Sequence, residues 1–293
     1  MTQSDFSALV ERGIVLLDGA TGSQLRAKGM PVGVSTELWA YEHPEVIVDL
    51  QRAYVDAGSN IIYAPTFSAN RVGLGMHGLE DRLAELNAGL VKLSKRAAGG
   101  QALVAGDFTT TGKPLEPIGT MSYQALLDIY REQIEVVAAA GADLLGAETM
   151  LTVDECACFV EAARSVCDLP VMCTLTIEAD GHLLFGGNVV EAVETLQALG
   201  ANAVGLNCSV GPDQLEAVVA SMKAVATVPI VAKPNAGMPV MDDKGQAHYN
   251  MTPDQFAASM AKLVKAGATI IGGCCGTGPE YIAALRRETE ALP

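Results

Sequence analysis

Ala266-Gly267-Ala268-Thr269-Ile270-Ile271-Gly272-Gly273-Cys274-Cys275-Gly276 packs a helix end, a strand and a chemical feature into one short stretch. Ala266-Gly267 reads as a helix closed by a C′ glycine, the residue that takes the left-handed turn most easily. Ala268 to Cys274 is apolar, as a strand buried on both faces must be. The flanking glycines then present two adjacent cysteines, and Thr277-Gly278-Pro279-Glu280 opens the next helix with proline in its first turn. The beginning of this unit recurs. Ala57-Gly58-Ser59-Asn60, Ala140-Gly141-Ala142-Asp143 and Leu199-Gly200-Ala201-Asn202 are near copies, each leading into an apolar run.

Reading outward from these echoes, apolar runs predict eight strands: Ile14 to Asp18, Asn60 to Ala64, Ala102 to Asp107, Asp143 to Glu148, Pro170 to Thr176, Ala203 to Cys208, Pro229 to Lys233 and Ala268 to Cys274. Helical periodicity fills the intervals over Pro44–Ala57, Leu79–Ala97, Ser122–Ala140, Val153–Cys167, Val189–Leu199, Asp213–Val225 and Thr252–Ala266, and Pro279–Leu292 closes the chain. Strands alternating with helices imply a parallel sheet, and eight such units in 293 residues imply an α/β fold of the (β/α)8 TIM-barrel type. No Pro/Ser-rich tract or charge block marks a second domain, so residues 1–293 are expected to form one domain.

Composition narrows the function. A net charge of −15 argues against nucleic acid and against an anionic membrane surface. Met1 to Arg12 carries Asp5 and Glu11 and lacks an apolar core of signal length, and no apolar run is long enough to span a bilayer. The seven cysteines are an odd count, a poor disulfide framework, and suit a reducing cytoplasm.

Barrel chemistry sits at the C-terminal ends of the strands. Those ends are Asp18, Thr66, Asp107, Glu148, Thr176, Cys208, Lys233 and Cys274. Cys208, in Gly205-Leu206-Asn207-Cys208-Ser209, thus shares a face with Cys274 and Cys275. Three thiols suit Zn²⁺, which in catalytic sites keeps three protein ligands and one open position. None of His43, His77, His182 and His248 lies near them in sequence as a fourth ligand. The alternatives are three buried apolar cysteines or a vicinal disulfide, since strand alternation would send Cys274 and Cys275 to opposite faces unless the glycines bend the chain. Asp18 and Glu148 end apolar strands, where an unpaired carboxylate is costly and therefore functional or paired. Asp107 reads equally well as a helix cap. Lys233 reads as a paired lysine, with a Schiff-base lyase as the rival. The small-residue turn Gly19 to Ser23 offers backbone N–H groups to an anion. Long loops over 19–43, 108–121 and 234–251 are positioned to shape the pocket, the last with a hairpin-like turn at Met241-Asp242-Asp243-Lys244-Gly245-Gln246.

Taken together, Leu17-Asp18-Gly19-Ala20-Thr21-Gly22, Thr66-Phe67, Glu148-Thr149, Asn207-Cys208-Ser209, Pro234-Asn235-Ala236-Gly237 and Gly272-Gly273-Cys274-Cys275-Gly276-Thr277 are similar to the homocysteine S-methyltransferase family. The resemblance covers nearly the whole chain and is nearest to the homocysteine-binding module of cobalamin-dependent methionine synthase. It implies a zinc-centred barrel with Cys208, Cys274 and Cys275 as ligands. It further implies Asp18 and Glu148 near the substrate amino group, Asn207 as a site-lining amide, and the turn containing Gly19 and Ala20 as a seat for the substrate carboxylate. Thr66 and Phe67 are expected among the substrate contacts. The chain departs from the family after Gly106-Asp107, where Phe108-Thr109-Thr110-Thr111-Gly112 replaces a Gly-Pro-Thr-Gly-like loop.

The expected reaction is methylation of homocysteine to methionine. The expected donor is a methylated corrinoid on a separate protein, since the sequence shows no folate or cobalamin module after the eighth strand. Aromatics are sparse beside Trp39, Phe67 and Phe108, which fits an open mouth better than a walled cation cage. Alternatives are an S-methylmethionine- or betaine-type enzyme, and a non-catalytic zinc-holding subunit of a corrinoid system.

Overall fold

A computed structural model describes residues 1–241 and 247–291. Among the described residues there are ten strands: β1 (Val15–Leu16), β2 (Ile61–Tyr63), β3 (Leu103–Phe108), β4 (Leu144–Met150), β5 (Val171–Leu175), β6 (Ala203–Asn207), β7 (Ile230–Lys233), β8 (Pro239–Met241), β9 (Ala247–Tyr249) and β10 (Ala268–Ile271). Eight of them form one sheet in the order β1-β10-β7-β6-β5-β4-β3-β2, and every pair in it is parallel. The architecture is the (β/α)8 barrel that the alternation predicts.

The repeated Gly-x-Asn/Asp stretch has a physical task. Gly58, Gly141, Gly200 and Gly267 all sit at positive φ, between 95° and 122°, where the helices turn back. The polar residue two places on then grips the neighbouring strand through both its backbone and its side chain. Asn60 donates its N–H to Leu16 O (2.7 Å), and its Oδ1 accepts the Leu16 N–H (2.8 Å). Asp143 does the same to Val104, both bonds at 2.8 Å, and Asn202 to Val171 at 2.7 and 2.9 Å. The fourth copy has Thr269 instead. Its Oγ1 is buried without a hydrogen-bond partner, and the β10–β7 register breaks between Ala268 and Ile270.

The first strand is shorter than expected, two residues rather than Ile14 to Asp18. Side chains close the β1–β2 seam in place of a backbone ladder. Besides Asn60, the Ser59 hydroxyl donates to Leu17 O (3.1 Å), and Asp18 Oδ2 accepts the Tyr63 N–H (2.8 Å). A carboxylate oxygen therefore stands where a strand carbonyl would.

The expected helix Pro44–Ala57 is found with those bounds, and the other predicted helices differ at their ends. The stretch Pro212–Gln214 is a turn of 3₁₀ helix before Glu216–Val225. Leu292 and residues 242–246 of the predicted turn lie outside the described residues. Unforeseen is the helix Gln3–Glu11, started by a Thr2/Asp5 capping box. Its Phe6 is 1% exposed and packs against barrel-interior residues that include Val15, Ile61, Leu144 and Val231, plugging the end opposite the strand C-termini. Short helices Gly22–Ala27, Thr36–Glu42 and Arg71–Gly75 occupy the loops after β1 and β2. Among the described residues, no helix is long and apolar enough to cross a membrane.

Candidate active site

Strand alternation decides what the barrel mouth contains. Val15, Leu17, Ile61, Leu144, Val231 and Ile270 face the interior. The same parity carried upward reaches Tyr63, Asp107, Glu148, Asn207, Lys233 and Cys274. Five of these line a cavity of about 480 Å³ at the strand C-termini, together with Cys208 and Cys275; Asn207 lies beneath it, fully buried. Cys208 has the wrong parity, but its φ of 47° places it in the left-handed region, and its thiol lines the cavity. Thr149, after Glu148, is bent the same way at φ 58°.

Asn207 holds Thr149, while the Cys208 N–H donates to Lys233 O (3.3 Å). Asn207 Oδ1 accepts the Thr149 N–H (2.6 Å) and the Thr174 hydroxyl (2.8 Å), and its Nδ2 donates to Thr149 Oγ1 (2.8 Å) and faces Cys274 Sγ at 3.9 Å. Such strain persists where the surroundings over-determine it.

The three sulfurs of Cys208, Cys274 and Cys275 lie within 4.8 Å of one another, with Cys208 and Cys275 3.5 Å apart. All seven cysteines are free thiols, so the vicinal pair is not bonded. A tetrahedral ion with sulfur ligands at about 2.3 Å needs sulfurs about 3.8 Å apart, so the donor set fits a metal. Main-chain bonds fix both loops. Asn235 Oδ1 accepts the Cys275 N–H (3.1 Å) and its Nδ2 donates to Ser209 O (2.7 Å), while the Cys274 N–H donates to Pro234 O (2.8 Å). Thr277 Oγ1 donates to Cys274 O (2.7 Å) and accepts the Ala20 N–H (3.2 Å), tying the cysteine loop to the first loop. A Cβ on Gly273 would overlap that hydroxyl, which is why glycine precedes the pair. Hydrogen bonds from Cys208 and then Cys274 hold the Cys275 thiol down at about 3, with help from the Tyr249 hydroxyl and the Lys233 charge. Its bonds to Cys208 and Cys275, and burial, push Cys274 well above the ordinary thiol range.

Beside the thiols lies a buried charge group. Lys233 is 3% exposed; its Nζ donates to Glu148 Oε2 at 2.8 Å, lies 3.5 Å from Asp18 Oδ1 and sits 4.1 Å over the Tyr63 ring. Gly146 makes room for that ring, because a Cβ there would overlap it. Burial opposes the charge on Lys233, but Glu148 and Asp18 outweigh it and raise the ammonium well above its ordinary value. That is the reverse of what a Schiff-base lysine needs, and the paired reading holds. Burial raises Asp18 to about 6 against the pull of Lys233. Asp107 does not cap a helix. It is 6% exposed, lines the cavity, and its Oδ1 has no hydrogen-bond partner.

Of the residues predicted to meet substrate, Gly19, Ala20, Phe67 and Glu148 line the cavity. Asp18, Thr66 and Asn207 do not; they lie behind it with polar atoms engaged elsewhere, except that Asp18 Oδ1, 3.5 Å from Lys233 Nζ, accepts no hydrogen bond. Asp18 closes the β1–β2 seam, Thr66 exchanges hydrogen bonds with the Asp107 backbone (2.9 and 3.0 Å), and Asn207 holds Thr149. Ala20's N–H is likewise taken by Thr277. Sequence reading missed Tyr63, Thr149, Asn235 and Thr277, although the last three sit inside the quoted motifs. Phe108 lies in the core against Phe159, with ring centroids 5.0 Å apart, and Trp39 stacks on His43. The atypical loop is anchored by its threonines: Thr109 Oγ1 donates to Glu148 O (2.8 Å), and Thr110 Oγ1 and the Thr111 N–H reach Glu155 (2.6 and 2.8 Å).

Comparison with known proteins finds relatives of one family. The family model described as homocysteine S-methyltransferase matches residues 15–289. The chain is 28% identical over 297 residues to methionine synthase of Mycobacterium tuberculosis, covering 95% of this chain and 25% of that protein. The methionine synthase of Mycobacterium leprae is 27% identical over 303 residues, with 95% and 24% covered. The chain therefore spans about a quarter of the length of the curated relatives it matches. The homocysteine methyltransferase MmuM of Escherichia coli, solved in a metallated form, superimposes with a TM-score of 0.81 at 25% identity, covering 96% of this chain and 98% of that one. Its oxidized form gives 0.80 at 25% identity, with 94% and 95% covered.

Proposed function

This chain belongs to the homocysteine S-methyltransferase family, and we propose that it is a zinc-dependent enzyme transferring a methyl group to the sulfur of L-homocysteine, giving methionine. The observation that carries the reading is the meeting of Cys208, Cys274 and Cys275 beside a buried carboxylate-rich cluster in one cavity. Residues 1–293 then act as one homocysteine-binding barrel in a reducing, cytoplasmic setting that keeps the thiols free.

Cys208, Cys274 and Cys275 would hold the zinc. Bound there, zinc supplies an acceptor thiol that is deprotonated at neutral pH. Asn207, Asn235 and Thr277 keep the three sulfurs in register before any ligand arrives. Glu148, facing the same cavity, attracts the acceptor's ammonium group, and Lys233 holds Glu148 in place. The Thr21–Ser23 segment, which opens the helix Gly22–Ala27, receives the acceptor carboxylate beside Gly19. Phe67 and Pro65 form an apolar wall that keeps water from the reacting sulfur. Asp18 and Thr66 act as positioning residues behind that wall.

For the donor we favour a methyl-corrinoid carried by a separate protein. Large apolar side chains left exposed, Val32, Met76, Ile118, Leu184, Phe185 and Met238, all belong to loops at the C-terminal ends of the strands, around the mouth. An apolar rim of this kind suits a docking macromolecule. A small donor of the S-methylmethionine or betaine type is the second reading. It is favoured by a cavity larger than homocysteine requires, with Phe67 and Met76 among its lining. Zinc-loaded protein supplied with homocysteine and, in parallel, methylcobalamin, S-methylmethionine and betaine is expected to form methionine fastest from the corrinoid. Turnover with a small donor alone would replace the donor assignment. No turnover with any donor, including a protein-bound methyl-corrinoid, would favour a non-catalytic zinc-holding subunit.

A further inference from the structure

Phe108-Thr109-Thr110-Thr111-Gly112, where the sequence departs from the family pattern, is tied to one buried carboxylate outside the cavity. Glu155 is 6% exposed and stands in the first turn of the helix Val153–Val166. Thr152 caps that helix by accepting the Glu155 N–H (3.1 Å). A glutamate at this position of a capping box returns its side chain to the cap residue. Glu155 turns to the neighbouring loop instead. Its Oε2 accepts the Thr110 hydroxyl (2.6 Å), and its Oε1 accepts the Thr111 N–H (2.8 Å) and the Thr111 hydroxyl (3.2 Å). The Tyr130 hydroxyl, on the helix Tyr123–Ala139, stands between Glu155 Oε1 (3.1 Å) and Thr109 O (3.2 Å). Thr110 Oγ1 also accepts the Gly112 N–H (3.0 Å) and Thr111 Oγ1 the Lys113 N–H (3.3 Å), which leaves each hydroxyl proton for Glu155.

This clamp reaches the cavity through Thr109. The Thr109 hydroxyl donates to Glu148 O (2.8 Å). Glu148 and Thr149 line the cavity, whereas Glu155 and Thr109 to Thr111 do not. The Glu148–Thr149 turn needs holding, because Thr149 sits in the left-handed region at φ 58°. Asn207 fixes the Thr149 side by accepting its N–H (2.6 Å), and Thr109 fixes the Glu148 side. A strained backbone of this kind is kept only by surroundings that over-determine it. The three thiols are fixed separately: Asn235 and Pro234 accept the N–H groups of Cys275 and Cys274, and the Cys208 N–H donates to Lys233 O.

We propose that Glu155 is a positioning residue for methyl transfer: through Thr109, Thr110 and Thr111 it holds the strained Glu148–Thr149 turn, and so sets how tightly the acceptor binds without meeting acceptor or metal. The proposal rests on the thiol-methylation reading for the part Glu148 plays. With the clamp cut, the turn relaxes toward ordinary backbone, and the Glu148 carboxylate leaves its place 2.8 Å from Lys233 Nζ. The cysteine cluster, held by its own bonds, keeps its metal.

Three variants of the zinc-loaded protein test this, Glu155→Ala, Glu155→Gln and Thr109→Val, each followed by zinc content, by homocysteine binding in a calorimeter, and by amide hydrogen exchange over residues 148–150. Glu155→Ala is expected to bind homocysteine at least about ten-fold more weakly than the wild type, with exchange over 148–150 faster and zinc unchanged. Thr109→Val, which removes only the hydroxyl on Glu148 O, should weaken binding by about three-fold or more with the same change in exchange. Glu155→Gln keeps one acceptor oxygen for Thr111 and Tyr130 and should stay within about three-fold of the wild type. A Glu155→Ala protein that is less stable but binds homocysteine like the wild type makes Glu155 a stabilising residue alone and overturns the proposal. Wild-type binding in Thr109→Val removes the route through Thr109 and overturns it too, even where Glu155→Ala does not fold. Should the wild type hold zinc but bind no homocysteine, the methyltransferase reading falls, and faster exchange in Thr109→Val still shows the clamp. Unchanged exchange over 148–150 in the variants overturns the clamp whatever the protein binds.

Discussion

Cys208→Ala is expected to strip the metal from the protein and abolish methyl transfer. Wild-type protein should contain one zinc per chain, and the variant well under half of that after dialysis against a weak chelator. The reason is geometric. Cys208 reaches the cluster only because its backbone adopts φ 47°, and it stands 3.5 Å from Cys275. With two sulfurs left, the site loses a third of its protein ligands and much of its negative charge. Loss of a metal-activated thiolate removes several kcal/mol of transition-state stabilisation, so turnover should fall by more than about a hundred-fold. Cys167→Ala is the control, a half-buried thiol outside the cluster. Metal analysis of the three proteins decides the matter, and equal zinc in wild type and Cys208→Ala would remove Cys208 from the ligand set.

Lys233→Met should cost more stability than substrate-site substitutions usually do. The variant leaves Asp18, Asp107 and Glu148 buried with no cation beside them among the described residues. Removing one partner of a buried ion pair costs about 3–5 kcal/mol, because the surviving charge keeps its desolvation penalty. At about 2–4 °C per kcal/mol for a chain of this size, the melting temperature should drop by roughly 6–20 °C. Adding Glu148→Gln to Lys233→Met should restore part of the loss, since the two groups meet at 2.8 Å and their effects are not additive. Thermal denaturation of both single variants and the double variant measures the coupling. A single variant that melts with the wild type would mean that Lys233 is not the counter-ion of this cluster.

The barrel was legible because its signals are local. A C′ glycine, an apolar run and a polar strand-start residue sit within a few positions of one another, and the repeat exposes the count of units. What the repeat does, gripping the neighbouring strand with both backbone and side chain, is tertiary and shows only when Leu16, Val104 and Val171 come into view. The short β1 was missed for the same reason, since Asp18 stands in for a ladder carbonyl supplied from 45 residues away. Strand-end reading found the three thiols and all three carboxylates, because position along a strand predicts the face. It did not distinguish which carboxylate meets substrate. That depends on which of them the fold brings to the cavity: Asp107 and Glu148 line it, whereas Asp18 is buried behind it with Oδ2 taken by the Tyr63 N–H. Thr66 and Asn207 were placed on the site by motif and lie behind it for the same reason. Phe6 was overlooked because its packing partners are spread over eight strands.

Zinc K-edge absorption, recorded before and after saturation with homocysteine, tests most directly whether the Cys208, Cys274 and Cys275 cluster holds the acceptor thiol. Three sulfur neighbours per zinc should become four with homocysteine, and remain three with 2-aminobutyrate, which has no thiol. A sulfur count that does not change on saturation with homocysteine would contradict the account.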